Sequence, residues 1–221
     1  MKFEEFIKLK EAISQDITRL AVFDFDGTLV FTPTPEQGIP KYEKETGKPW
    51  YIRSNQTALD HGFDKGFRRL GWWGRPESLH PPIFNSEPEH LNHSVANALR
   101  TFKNDPQTYV VLMTGRGANL GNRVKEILNQ YSIHVDEYFF RNQKDLVQHP
   151  GYPSKGDTFD YKAFTIINRL MTPNIKSVEI FEDREEHVAK FLQFGKNLKK
   201  NFPNLQSIVI HDVERNKNFS A

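Results

Sequence analysis

Two carboxylates stand at the end of an apolar run. In RLAVFDFDGTLVF, residues 19–31, the run breaks at Asp24 and Asp26, and Gly27 and Thr28 follow at once. Residues two apart in an extended strand point to the same side, so Asp24 and Asp26 would share a face and Phe25 would take the other. Carboxylates placed like that repel each other unless something positive sits between or beside them. A hard divalent cation answers the need, and Mg2+ takes oxygen ligands while keeping positions open for water and phosphate. Gly27 lets the chain turn tightly and approach a ligand closely. Thr28 adds a hydroxyl and a backbone N–H. With a metal and a phosphate in place, one Asp can attack phosphorus and form an aspartyl-phosphate. The second can protonate the leaving oxygen and then activate water.

Such chemistry needs help from elsewhere in the chain, and two further apolar runs end in suitable groups. TYVVLMTGR ends in Thr114, Gly115 and Arg116, and IKSVEIFEDR ends in Glu182, Asp183 and Arg184. Thr114 can donate to a phosphoryl oxygen. Arg116 can clamp a phosphate with two parallel hydrogen bonds. Asp183 can add a metal-directed carboxylate. A lysine can balance the negative charge of nucleophile and phosphoryl group.

The elements that must position these residues alternate. After the strand over residues 20–25, buried strands are expected at TYVVLMTGR, VDEYFF, IKSVEIFED and LQSIVIHDV. Between them lie helical patterns: NLGNRVKEILNQY, FDYKAFTIINRLM and EEHVAKFLQFGKNLKKN. Strands alternating with helices imply a parallel sheet with helices on both faces. In such open sheets ligands bind beyond the carboxyl ends of the strands, where the three polar clusters fall. The first twenty residues, with Phe3, Phe6, Ile7, Ile13, Ile17 and Leu20 near helical spacing, read as an amphipathic helix. Residues 31–102 hold most of the prolines and all three tryptophans, and read as a loop-rich, cap-like insertion. EPEHLNHSVANALRTFKND at its end reads as a helix stopped by Asp105-Pro106. The whole chain, 1–221, reads as one domain carrying that insertion.

Composition narrows the function. The 221 residues carry 30 Lys and Arg against 28 Asp and Glu, so charge alone does not announce a nucleic-acid binder. There is no cysteine, which excludes disulfides, a thiol nucleophile and cysteine-ligated metal sites. No apolar run is long enough to span a membrane, and the N-terminus lacks the apolar stretch of a signal peptide. A cytoplasmic location is the expectation.

The motifs DFDGT, LMTGR and FEDR, with a lysine between the last two, resemble those of the haloacid dehalogenase (HAD) superfamily of phosphatases. The resemblance implies a Rossmann-like core, an Mg2+ cofactor and phosphoryl transfer through an aspartyl-phosphate. Carried over by motif, Asp24 is nucleophile, Asp26 general acid/base and Thr114 a phosphate ligand. Lys162 is the charge-balancing lysine, with Lys155 and Lys144 as alternatives. The metal set is Asp24, Asp26 and Asp183, with Glu182 second to Asp183. Gly27, Thr28, Gly115, Arg116 and Arg184 face the substrate. TGR and the acidic-Asp-Arg motif also resemble the 3′-phosphatase domain of phage-type polynucleotide kinase/phosphatases. FDFDGTLVFTPTP, the Trp72–Trp73 region and FEDREEH resemble the HAD group named Swiss Army Knife RNA repair-like. That resemblance implies phosphorylated nucleic-acid ends, 3′-phosphates above all, as substrate. A small nucleotide or sugar phosphate is the alternative substrate, and a phospho-ligand binding module without turnover the alternative class. No P-loop and no Lys-x-Asp-Gly occurs, so a kinase or ligase working on the same ends would be a separate partner.

Several residues carry two readings. Trp50, Trp72 and Trp73 could pack the insertion onto the core or offer platforms for bases. Arg68, Arg69 and Arg75 could meet phosphates or solvent. His187, one helical turn past Asp183, could touch the site or orient a neighbour. His90 and His93 have metal-like spacing but no further ligand cluster, and read as helix surface.

Overall fold

The computed structural model describes residues 16–50, 72–141, 157–171 and 174–221. The helix expected at the N-terminus lies almost wholly outside these residues, and so do Arg68, Arg69, Lys144 and Lys155.

Five apolar runs form parallel strands: β1 (Arg19–Phe23), β2 (Thr108–Gly117), β3 (Glu137–Arg141), β4 (Ser177–Glu182) and β5 (Ser207–Asp212). A sixth strand, β6 (Lys217–Ser220), runs antiparallel to β5 and closes the sheet in the order β3-β2-β1-β4-β5-β6. Sequence reading missed β6, because an edge strand reading KNFS shows no apolar alternation. β1 lies between β2 and β4, with Phe23 level with Leu112 and Phe181. Asp24 is the next residue, so it leaves the sheet level with Glu182.

The helices are α1 (Pro35–Thr46), α2 (His93–Asn104), α3 (Gly121–Gln130), α4 (Thr158–Leu170) and α5 (Glu185–Asn201). Side chains alternate across the sheet. Leu20 and Val22 of β1, with Val111, Met113, Val178 and Ile180, pack against Tyr161, Ile166, Val188 and Phe191 of α4 and α5. Ala21 and Phe23, with Val110 and Leu112, pack against Val95, Leu99, Val124 and Ile127 of α2 and α3. Both faces are covered, which is why the central strands read as unbroken apolar runs. Each fully buried Val, Leu, Ile or Phe contributes roughly 1.5–3 kcal/mol. Phe23 stacks on Phe181 with ring centroids 4.3 Å apart, fastening β1 to β4 just below the site.

α2, which sequence placed inside the 31–102 insertion, is the crossover helix between β1 and β2 and belongs to the core. Within the described residues the insertion consists of α1, three short 3-10 turns and connecting loops. α1 contains Pro40 and ends at Gly47, whose φ of 66° is the left-handed conformation that glycine adopts readily. Its own small core joins Trp50, Trp72 and Ile83, with Ile39 and Tyr42 against them.

Candidate active site

Asp24 follows the alternation of Leu20 and Val22, so its carboxylate turns toward α4. There it meets Lys162. The lysine Nζ lies 2.7 Å from Asp24 Oδ2 and 2.6 Å from Glu182 Oε2, and all three side chains are almost fully buried. α4 brings the lysine to this depth. Asp157 and Asp160 cap the helix start reciprocally, each carboxylate accepting the other's backbone N–H at 2.9 Å. Lys162 then sits at the start of the second turn, within reach of Asp24 and Glu182 at the carboxyl ends of β1 and β4. Asp24 Oδ1 accepts the Phe25 N–H at 2.8 Å, which fixes the carboxylate plane. The positive group demanded by the opening carboxylates is therefore built into the chain.

Asp26 goes elsewhere. Its carboxylate accepts from Arg116 Nε at 2.9 and 3.0 Å and from Arg116 Nη2 at 2.7 Å, and from the Thr32 hydroxyl at 2.5 Å. β1 ends at Phe23 and the chain turns at Gly27, so the two Asp residues do not share a strand face as sequence reading expected. The two carboxylates face different cations, and Asp26's side chain lies outside the cluster of Asp24, Glu182 and Asp183. Arg116 differs from expectation for the same reason. Its fork holds Asp26 rather than standing open to a phosphate, and its third nitrogen donates to Ser78 Oγ at 2.8 Å and to the Trp73 carbonyl at 3.1 Å. Thr114 is fully buried, its Oγ accepting the Arg116 N–H at 3.2 Å.

The turn after Asp26 closes on Asp183. Gly27 has φ 72°, and a Cβ built there would lie 2.2 Å from Asp183 Oδ2. Glycine is needed twice at this position, for the left-handed backbone and for the close approach. The Thr28 hydroxyl donates to Asp183 Oδ1 at 3.0 Å. Gly115 meets the start of α4 in the same manner, with a built Cβ 2.7 Å from Thr158 Cγ2.

The electrostatics separate the three clustered carboxylates. Glu182 is buried, but Lys162, a hydrogen bond with His187 and the Arg184 guanidinium outweigh that and hold it well below the usual carboxylate range. Burial pushes Asp24 up to about 6, against the pull of Lys162 and with the help of the Glu182 charge. Burial and the charges of Asp24 and Glu182 push Asp183 up to about 7, opposed by the Thr28 hydroxyl. Lys162 is held above its ordinary value, because Asp24 and Glu182 outweigh the cost of burial. Asp183 is thus the carboxylate of the cluster that lacks a direct cationic contact, and it carries the unmet demand for positive charge. Its oxygens, with those of Asp24 and Glu182, lie within 4.8 Å of one another. Three hard oxygen donors gathered in this way could hold a divalent metal ion. Because Glu182 already holds Lys162, His187 and Arg184, Asp24 and Asp183 are the pair with capacity for a metal.

These groups open on a cavity of about 420 Å3 lined by Asp24, Asp26, Gly27, Gly115 and Asp183 together with Trp73, Arg116, Arg141 and Arg184. Sequence reading did not single out Arg141, which ends β3 and donates to Thr158 Oγ1 at 3.2 Å. Its place at a strand end was the available signal. Arg75 is buried against the Trp50 ring and paired with Glu77, not solvated. His187 touches Glu182 and Arg184 rather than Asp183. His90 bonds the Asn85 carbonyl within the 3-10 turn that precedes α2.

In sequence, residues 54–221 match the family described as HAD domain family 1 in Swiss Army Knife RNA repair proteins. The chain belongs to this HAD family. The matched stretch includes Arg116, Lys162, Glu182 and Asp183, while β1 with Asp24 and Asp26 precedes it. Among solved structures, the HAD domain of effector protein Lem4 from Legionella pneumophila is similar at 13% identity and a TM-score of 0.45, over 90% of this chain and 88% of that one. No curated protein matches the chain in sequence. Among the described residues of this HAD domain no helix is long and apolar enough to cross a membrane.

Proposed function

We propose that this HAD domain is an Mg2+-dependent phosphomonoesterase that removes phosphate from nucleic-acid ends, 3′-phosphates in particular. One observation carries the reading. The Asp24 carboxylate stands at the end of the central strand, held by a buried lysine, beside Asp183 and open to a cavity that also holds a second, separately clamped carboxylate.

Asp24 and Asp183, with Glu182 behind them, would hold Mg2+, which would supply charge neutralisation for a phosphoryl group. The chain does the rest. Lys162 keeps Asp24 anionic and aligned. An Asp24 oxygen attacks phosphorus, a phosphorus–oxygen bond to Asp24 forms, and the bond to the leaving oxygen breaks. Asp26, oriented by Arg116 and Thr32, enters the step protonated on Oδ2, the oxygen that neither Thr32 nor Arg116 Nη2 engages, and gives that proton to the leaving oxygen. Asp26 then takes a proton from water, the resulting hydroxide attacks phosphorus, and the bond to Asp24 breaks to release phosphate. The turn at Gly27, Gly115 and the cations Arg141 and Arg184, all of which line the cavity, receive the phosphoryl oxygens, while the buried Thr114 and Thr28 side chains hold Arg116 and Asp183 from behind. Arg116 works through Asp26 rather than on the phosphate.

The nucleic-acid end as substrate is supported by the family's description and by the cations and the tryptophan that line the cavity. The test is phosphate release, with Mg2+ and with chelator, from matched RNA and DNA oligonucleotides bearing a 3′- or a 5′-phosphate, beside small phosphate esters. Metal-dependent release that favours 3′-phosphorylated oligonucleotides is expected. Release from small esters alone would remove the nucleic-acid substrate and keep the chemistry. No release from any ester would leave a binding module.

A further inference from the structure

Trp72 and Trp73 are neighbours with opposite surroundings. Trp72 is buried, its ring tilted against that of Trp50 with centroids 5.0 Å apart, and its indole N–H donates to the Pro33 carbonyl at 2.8 Å. A Cβ on Gly38 would strike its ring at 2.0 Å, so α1 is shaped to receive it. Trp73 is 41% exposed and lines the cavity of the acidic cluster. The pair sits on a 3-10 turn (Trp72–Gly74) that is bolted to the end of β2. Arg116 donates to the Trp73 carbonyl at 3.1 Å, and Asn119 donates to the Gly74 carbonyl at 3.2 Å. The Arg116 guanidinium carbon also lies 5.3 Å from the centroid of the Trp73 ring. That guanidinium is inaccessible to solvent, so the exposed surface of the indole is the part turned away from it.

One buried side chain thus fixes two groups at once. Arg116 holds the Asp26 carboxylate with its fork and backs the Trp73 ring. In the phosphatase reading, on which this step rests, Asp26 delivers a proton to the leaving oxygen. Whatever that oxygen carries must therefore lie on the Asp26 side of the cavity, where the indole waits.

We propose that Trp73 is a specificity residue, the platform on which the nucleobase of the leaving nucleotide stacks. Packing does not require an exposed indole here, since Trp72 already anchors the turn. A flat aromatic face is read by a flat aromatic ligand, and stacking tolerates any base because every base has a π-face. Arg141 and Arg184, lining the same cavity, suit the phosphates of a nucleotide. Phe31, the other exposed aromatic of the site region among the described residues, lines a neighbouring cavity with Asn92, Asp183 and Arg184 rather than the cavity of the acidic cluster.

The test separates stacking from catalysis. Binding is measured by fluorescence anisotropy on the Asp24→Asn protein, with 3′-phosphorylated oligonucleotides whose terminal nucleotide carries a base or is abasic. Loss of the base is expected to weaken binding roughly 5- to 150-fold, the range of one stacked base. Adding Trp73→Ala should bring that ratio near one, Trp73→Phe should retain most of it, and Phe31→Ala should leave it unchanged. Equal binding of the two ligands, or a base dependence that survives Trp73→Ala, would overturn the proposal. A mononucleoside 3′-phosphate run alongside distinguishes a free nucleotide from a strand end. Phosphate release from the same ligands, by the protein with Asp24 intact, is read separately. Base-dependent binding without release would keep the platform and remove the phosphatase. Release without base-dependent binding would do the reverse.

Discussion

Replacing Lys162 with methionine keeps the length and apolar stem of the side chain and removes one charge. That charge is shared: its Nζ is 2.7 Å from Asp24 and 2.6 Å from Glu182, and each of these side chains is at most 6% exposed. Removing one partner of a buried ion pair costs about 3–5 kcal/mol, because the remaining charge is left without compensation. Here two carboxylates are left, with Asp183 close by and Arg184, 3.3 Å from Glu182 and half in solvent, as the remaining guanidinium in contact. For a domain of this size about 3–5 kcal/mol corresponds to a fall in Tm of roughly 6–20 °C. The loss should depend on pH. Burial holds Asp24 up at about 6 even with the lysine pulling it down. Without the lysine, protonation is its only relief, so the variant should lose more at pH 8 than at pH 5. Thermal unfolding followed by circular dichroism at both pH values measures this. A Tm within a degree or two of the parent protein at pH 8, or a larger loss at pH 5, would refute the claim that Lys162 compensates the buried carboxylates.

Other expectations follow from the same geometry. Asp24→Asn should abolish phosphate release while the protein stays folded, since an amide cannot attack phosphorus, and both are read by a release assay beside circular dichroism. Gly27→Ala should cost at least about 1–2 kcal/mol for the left-handed backbone alone, and displace Asp183, so that urea unfolding shifts and Mg2+ binding weakens together. Arg116→Lys should lower kcat at least tenfold with a smaller effect on KM, because an ammonium cannot reproduce the fork on Asp26. Burial, aided by neighbouring carboxylates, raises Asp183 to about 7 and Asp24 to about 6, so protonation favours the folded state. The metal-free protein should therefore lose stability as pH rises from about 4 to 7, and added Mg2+ should raise Tm more at pH 8 than at pH 5.5.

Much of this site could be read before any coordinates, and the reason is local. A buried strand that ends in carboxylates breaks its own apolar pattern, so Asp24, Asp26, Glu182 and Asp183 stand out in the sequence. The alternating strands and helices give the sheet, and the sheet gives the convergence of its carboxyl ends. What was hidden depends on partners far apart in the chain. Arg116 and Asp26 are 90 residues apart, and nothing in TGR says that its arginine grips a carboxylate rather than a phosphate. The direction in which Asp26 points depends on where β1 stops, and it stops at Phe23 rather than at residue 25. Trp72 and Trp73 are identical in type, and only the 3-10 turn decides which is buried. Lys162 is distinguishable by helix position: Asp157 and Asp160 cap a helix whose fifth residue it is, on the face buried with Tyr161 and Ile166. β6 was invisible because an exposed edge strand needs no apolar face.

The central claim is that Asp24 carries the phosphoryl group, and one measurement tests it most directly. The protein is mixed with a 3′-phosphorylated oligonucleotide and Mg2+, quenched in acid within the first turnover, and its intact mass and peptides are determined. The account predicts a fraction of protein heavier by one phosphoryl group, mapped to the peptide containing Asp24, absent with chelator and absent in Asp24→Asn. Metal-dependent phosphate release with no such adduct, or with the adduct on another residue, would contradict it.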